Sequence, residues 1–463
     1  MDGKLEETIE NLKKDNVEFV RFVFPDVNGA NCGFTVPLDE FEDSVENGKG
    51  FDGSSIHGMA RVDESDLLAK PDLDTLRVFP WEYQTRTIDQ TWKEAVVFAD
   101  IINPDGSPYE GDSRYILKRS LQNMNGREIA DQFYIGPEPE FFLFQAKKNG
   151  EPKLKKRKPL LTDSGGYFRG GRYGEIRKEV QLILKKMGVQ SEYDHHEVAP
   201  SQHEVDLKYQ GALEMADTLM LWKYITKRVA RKGFGLFASF MPKPLDGENG
   251  NGMHVHQSLF KEEGNVFFDG NSENRLSQSG LHYLGGLMSH IPEMSLVLNP
   301  SVNSYKRLQP GYEAPCYVTW AWKNRSDLVR VPGYNNSEMA TRFELRNPDP
   351  GCNPYLAFAL MLEAGLEGIE NGIEPPEPVE MNVYDLGREG MEKRKIKQLP
   401  GDLGEAILRA QDNGFVRGVL GDHLFRKVVE NAEKHLADYE WNTAPKNREG
   451  ITKYELKKLL PEL

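Results

Sequence analysis

The order of apolar and polar positions divides the chain into a β-rich beginning and a mixed remainder. MDGKLEETIENLKKD opens it as a charged amphipathic helix, and VEFVRFVF alternates with period two, as a strand with one buried face does. Asp26-Val27-Asn28-Gly29 gives a turn and NCGFTVP a return strand, while LRVFPW and AVVFADII read as further strands. Pro104-Asp105-Gly106 and Pro108 mark a linker. Beyond it RYILKRSLQNM starts a helix, and helical periodicity returns at 172–187, 210–232, 276–290 and 354–370, between strands. Pro375, Pro376 and Pro378 set off a helical last stretch. The expectation is an α+β protein: a small, mainly β domain over 1–108 and a larger mixed domain over 109–463.

Four segments add chemistry to that pattern. They are GPEPEFF at 136–142, HHEVAPSQHEVD at 195–206, NGNGMHVHQS at 249–258 and TRFELRNPDP at 341–350. Each sets carboxylates, histidines or arginines two residues apart, and residues i and i+2 of a strand share a face. Glu138 and Glu140 then project together, as do His254 and His256, and Arg342, Glu344 and Arg346 form a third row. Pro200-Ser201 reads as a two-residue turn, and a hairpin centred there sets Glu197 directly opposite Glu204. Taken singly, such pairs are ordinary solvated strand faces. Here they sit among apolar residues (FYIGPEPEFFLF), and five of the ten histidines fall between 195 and 256. Buried carboxylates need a partner. Five glutamates and one histidine, with no thiolate, suit Mg²⁺ or Mn²⁺ far better than Zn²⁺.

Composition narrows the field. With 463 residues the chain is long enough for two or more domains. A net charge of −14 argues against a nucleic-acid partner. The one basic run, KLKKRKP at 153–159, has no interleaved aromatics and reads as a solvated loop. Cys32, Cys316 and Cys352 are far apart with no CxxC, which fits a reducing cytosol rather than a disulfide framework. No apolar run reaches membrane-spanning length, and the N-terminal segment does not read as a signal peptide.

Five arginines, Arg307, Arg325, Arg330, Arg342 and Arg346, cluster near the last segment. Their forked guanidinium suits phosphate and carboxylate. A carboxylate that can ligate metal, placed between such arginines, is what phosphoryl transfer calls for. The chain has no Walker A, kinase Gly-rich, GxGxxG or GxSxG motif, so nucleotide must be held through metals, arginines and strand residues. NPSVNSYKRLQPGYEAP, which carries Arg307 and Glu313, reads as a long functional loop.

Together with FDGSSI (51–56) and NRSDLVRVP (324–332), these segments strongly resemble the bacterial and archaeal type I glutamine synthetases, in order and spacing, from about residue 15 onwards. The resemblance implies a β-grasp domain and then a catalytic domain with a curved antiparallel sheet, of the glutamine synthetase/guanido kinase-like fold. It implies ligation of ammonium to the γ-carboxylate of L-glutamate with ATP, by way of γ-glutamyl phosphate. It also implies a dodecamer of two stacked hexameric rings with sites between neighbours, and a nitrogen-regulatory protein as a further partner. Matched motif by motif, Glu140, Glu197 and Glu204 would hold one Mg²⁺ or Mn²⁺, and Glu138, His254 and Glu344 the other. His256, Ser258, Arg330 and Arg342 would meet ATP, with Arg325 on the transferring phosphoryl group. Asn249, Gly250, Arg307, Glu313 and Arg346 would bind glutamate. Asp52 from the adjacent subunit would deprotonate ammonium, with Ser55, Tyr167 and Glu313 completing its pocket.

The departures bear on regulation. Met339 stands where some bacterial members carry a lysine near the nucleotide. Tyr384 resembles the tyrosine that one branch adenylylates, but GREGMEK after it departs from that branch. Arg61, in HGMARVDESD, matches the arginine of glutamine feedback in the other branch, and feedback is the favoured reading. A γ-glutamyl ligase acting on a polyamine or other amine is the alternative activity, and a non-catalytic regulatory relative a more distant one.

Overall fold

The computed structural model describes residues 2–56, 58, 59, 65–156, 158–169, 173–262, 264–272, 274–333 and 337–463. Two sheets carry the architecture. The first has the path Asn31–Pro37, Val17–Pro25, Thr91–Ile102, Asp66–Pro71, Lys49–Asp52. Val17–Pro25 runs parallel to Thr91–Ile102 and antiparallel to Asn31–Pro37. The alternation of VEFVRFVF is realised: Val20, Phe22 and Phe24 face a small core with Val36, Phe41, Val97 and Ile101. Lys49–Asp52 forms an edge of this sheet, which leaves Asp52 exposed.

The second sheet has the path Ser191–His196, Gln202–Leu207, Gln132–Gln145, Met253–Lys261, Phe343–Leu345, Val329–Val331, Trp320–Trp322. Its pairs are antiparallel except the last. Odd-numbered positions such as Phe141, Val255 and Phe343 are fully buried against helices. Tyr283 of the helix Gln278–Leu298 donates to the Gln257 side chain, so the helices lie on that face. That helix crosses Pro354–Asn371 where both present glycine: a Cβ on Gly286 would stand 2.2 Å from the Ala364 carbonyl oxygen. The charged residues of these strands lie at even-numbered positions, Glu138, Glu140, His254, His256 and Glu344 among them.

The contacts that join the two units include a buried ion-pair cluster and a helix cap. Arg114, fully buried, pairs with Asp72 and Asp100 of the first unit and Asp217 of a catalytic-region helix. Asn353 caps the helix Pro354–Asn371 through its side-chain oxygen, while its amide donates to the carbonyls of Asp26 and Val27.

Several elements differ from expectation. LRVFPW yields strand only at Arg77–Val78. The pattern at 276–290 continues to Leu298 through Pro292. Ser304–Arg307 is a helical turn inside the expected loop, and the basic run contains a two-stranded hairpin, Leu154–Lys155 with Lys158–Pro159. Among the described residues no helix is long and apolar enough to cross a membrane.

Candidate active site

Strand register lines up the charged residues across one sheet face. His195 pairs with Glu204, and Glu204 with Glu140. Two residues along the same strand, Glu138 pairs with His254; His256 then pairs with Glu344, and Glu344 with Arg330. The period-two reading thus places side chains from six strands on a common surface.

The hairpin needs a correction. Pro200 and Ser201 are the central residues of a β-turn closed by the Gln202 N–H on the Ala199 carbonyl. Ser201 has φ 66°, as the third residue of a type II turn requires. The ladder, however, pairs Glu197 with Gln202 and His195 with Glu204, so Val198 and Ala199 are extra residues on the first arm. Glu197 is therefore not opposite Glu204 but two positions further along. Because the shift is even, Glu197 keeps its face.

Two groups of potential ligands result: His195, Glu197 and Glu204 at one end, and Glu138, His254 and Glu344 at the other, with donor atoms in each within 4.8 Å of one another. His195 is the residue the spacing argument passed over. It accompanies Glu204 by register, a signal available only once the hairpin's true pairing is known. Glu140 stands beside the first group and is fixed there by the Gln202 amide and the Gly252 N–H.

Their electrostatics diverge. Burial, then the Glu197 charge, pushes Glu140 well above the usual carboxylate range. Burial, then Asp206 and Glu140, does the same to Glu204. At the other end burial also opposes charge, but Arg346 and His256 outweigh it and hold Glu344 at about 2. His256 and His254 likewise keep Glu138 well below its ordinary value despite burial. Burial and then Arg346 lower His254 to about 4, leaving a neutral imidazole that can ligate.

Arginines order the second end. Arg330 and Arg346 both pair directly with Glu344, which is fully buried. Arg342 donates to Nδ1 of His256, fixing the ring's proton on Nε2, which bonds Glu138 at 2.7 Å. Arg307 is spent on the backbone: it donates to the carbonyls of Arg346, Asn347 and Pro348 and so sets the position of Arg346. The Nε of Arg346 is buried without a partner and remains to be satisfied. Gly250 has no room for a side chain, since a Cβ would lie 2.2 Å from the Pro242 carbonyl oxygen. Asn249 beside it donates to Glu313 at 2.9 Å, and Glu313 sits at φ 55°, a conformation that non-glycine residues adopt under constraint.

A cavity of about 1440 Å³ opens on this surface. Its wall includes Glu138, Glu140, Glu197, Glu204, His254, His256, Ser258, Tyr167, Asn249, Gly250, Arg307, Glu313, Arg325, Arg330, Arg342 and Arg346. Met339 also lines it. Glu344 lies behind the wall. Asp52 and Ser55 are not brought to the cavity; the Asp52 carboxylate instead accepts from the Ser54 N–H and from the hydroxyls of Ser54 and Ser55, which lower its pKa. Arg61 lies outside the described residues. The Tyr384 hydroxyl is engaged, donating to the Ala314 carbonyl at 2.7 Å, next to Glu313.

The catalytic-domain family model of glutamine synthetase matches residues 110–451, and its β-grasp-domain model matches 16–104. The chain belongs to the glutamine synthetase family. The Methanosarcina mazei glutamine synthetase is 44% identical over 439 residues, covering 94% of each chain. The Thermotoga maritima glutamine synthetase is also 44% identical, covering 93% of this chain and 96% of its own. Among solved structures, a GmaS–ADP complex superposes with a TM-score of 0.82 at 29% identity, covering 97% of this chain and 98% of that one. The Plasmodium falciparum glutamine synthetase gives 0.82 at 23% identity, covering 99% and 98%, a likeness of fold.

Proposed function

We propose that this member of the glutamine synthetase family is a glutamate–ammonia ligase, making glutamine from glutamate, ammonium and ATP through γ-glutamyl phosphate. The observation that carries the reading is the single sheet face over which two carboxylate–histidine groups and five arginines converge in one cavity. The donor set fits hard divalent cations: oxygen-rich, without thiolate, and so crowded that burial and neighbouring carboxylates push Glu140 and Glu204 well above the usual carboxylate range, a shift that added positive charge would relieve. Glu140, Glu197 and Glu204, with His195 beside them, would hold one Mg²⁺ or Mn²⁺, and Glu138, His254 and Glu344 the other. Bound there, such ions would supply positive charge to the nucleotide phosphates.

The protein's own residues account for the rest. A carboxylate resists attack by an amine, so the glutamate γ-carboxylate first takes the γ-phosphoryl group and ADP is released. Arg325, exposed on the cavity wall, neutralises the phosphoryl group in transit. His256, Ser258, Arg330 and Arg342 line the nucleotide side; the unpartnered Nε of Arg346, whose position Arg307 sets through the backbone, faces glutamate with Asn249 and Gly250. Glu313, held by Asn249, covers the acyl phosphate against water. Ammonia then attacks the acyl carbon and expels phosphate. Asp52, exposed on an edge strand outside its own cavity, takes ammonium's proton in the neighbouring subunit's site, with Ser55 and Tyr167 around it. A ring assembly of twelve subunits would allow that sharing, and feedback by glutamine is assigned to Arg61. The units divide as 1–108 and 109–463.

The purified protein, given ATP, Mg²⁺ and glutamate, is expected to release phosphate and form glutamine with ammonium in preference to methylamine or polyamines. Faster turnover with an organic amine would replace the reading with an amine ligase.

A further inference from the structure

Behind the Glu197 turn, on the opposite face of the hairpin, lies a third group: Asp163, His196 and His203. His203 is fully buried, and its Nε2 and Oδ2 of Asp163 face each other at 4.0 Å, both without a hydrogen-bond partner. The arrangement suggests a metal, but Arg177 rules against it. Its guanidinium approaches Nδ1 of His203 at 2.6 Å, and arginine can only donate, so Nδ1 accepts and the ring proton sits on Nε2. No lone pair is left there for a cation. Asp194 and helix residue Gln181 fix Arg177 in turn, through Oδ2 and Oδ1 of Asp194.

The other oxygen of Asp163 is heavily used. Oδ1 accepts from Nε2 of His196 at 3.0 Å, from the Ser201 N–H at 2.8 Å and from the Gly165 N–H at 3.2 Å. The Ser201 hydroxyl accepts from the Thr162 N–H. The Gly166 and Phe168 amides donate to the carbonyls of Glu197 and His196. The segment 162–168 is thereby fastened to the turn that holds Ser201 at positive φ. On the cavity side, Tyr167 and Phe168 from this segment pack on the His195 ring, with centroids 5.1 and 4.8 Å away.

We propose that Asp163 is a positioning residue that locks the Tyr167 segment to the Glu197 turn, so that the ammonium end of the cavity and one cation-ligating arm are set as a unit. This rests on the reading of Tyr167 as an ammonium contact.

The test uses the full-length assembled enzyme. In Asp163→Ala, amide exchange of the peptide spanning 162–168 should accelerate while that of 202–207 stays slow. The KM for ammonium should rise about tenfold with the KM for ATP unchanged, the scale on which partners behind a ligand act. Asp163→Asn, which keeps the acceptor at Oδ1, should recover most of both. Ser201→Gly accepts the positive φ but loses the hydroxyl on Thr162, and serves as the second variant if Asp163→Ala does not fold; it should loosen the same peptide. Unchanged exchange would overturn the positioning role. Faster exchange with an unchanged ammonium KM would overturn the Tyr167 assignment instead, and a parallel rise in both KM values would reduce Asp163 to general stability.

Discussion

The Glu204 end of the sheet face and the Glu344 end are built from the same residues, glutamate and histidine, and differ in what neutralises them. At the first, burial raises Glu140, Glu204 and Asp206, and neighbouring carboxylates add to it: Glu197 acts on Glu140, Asp206 and Glu140 on Glu204, and Glu138 on Asp206. At the second, Arg330 and Arg346 grip Glu344, and Arg342 works through His256 onto Glu138. One end is an open demand for positive charge, and the other is a finished network. A cation should therefore matter most to the order of the first end. The second should stand without one, prepared to share its arginines with phosphate and carboxylate.

The largest expected effect comes from opening the finished network. Glu344→Ala strands two guanidinium groups in a buried site, and removing one partner of such a pair costs about 3–5 kcal/mol. The thermal midpoint of the metal-free protein should fall sharply, with phosphoryl transfer lost. An unchanged midpoint would mean that the arginines find other partners and the contrast between the ends is false.

The crowded end should answer oppositely. Glu204→Gln relieves repulsion at nearly constant volume, so the metal-free midpoint should hold or rise. What should vanish is the stabilisation by Mn²⁺, which for a protein at a hundredfold excess over Kd amounts to about 2.7 kcal/mol, together with phosphoryl transfer. A variant that still gains the full Mn²⁺ stabilisation would remove that glutamate from the ligand set.

Glu313→Ala tests whether closure is separable from both ends. Neither ligand group loses a contact, since Glu313 is held by Asn249. Phosphate release from ATP should persist in part while glutamine formation drops, and the ratio of the two products is the readout. Equal losses would place Glu313 in the phosphorylation step.

Period-two spacing made most of this surface legible, because a strand fixes faces whatever its partners. Glu138, Glu140, His254 and His256 needed nothing more. Register was harder. The turn at Pro200-Ser201 was readable, yet Val198 and Ala199 add a two-residue offset that local chemistry does not announce, and His195 was missed with it. The strand at 341–350 is shorter than its pattern, covering only Phe343–Leu345. That Arg307 serves backbone carbonyls, and that Asp52 sits on a free edge far from its own cavity wall, depends on tertiary placement that no periodicity encodes.

The finest test is the sign of the pH dependence, since the two ends titrate in different windows. Asp206, buried behind Glu204, is pushed to about 7 by burial and then by the Glu138 charge, from an ordinary 3.8. A raised acid binds its proton more tightly when folded. Its contribution to stability is complete below pH 3.8 and is lost as pH rises through about 7, at about 1.4 kcal/mol per pH unit for one proton. Glu344 is held at about 2 against an ordinary 4.5, so its contribution is complete above pH 4.5 and is lost as pH falls towards 2. Metal-free protein should thus lose stability in both directions from a maximum near pH 4. Asp206→Asn should flatten the neutral limb alone, and Glu344→Gln the acid limb alone. Saturating Mg²⁺ should shift the neutral limb, because a cation held by Glu204 favours ionised neighbours. If unfolding midpoints measured from pH 3 to 8 show both variants flattening the same limb, the ends form one coupled system and the division between them fails.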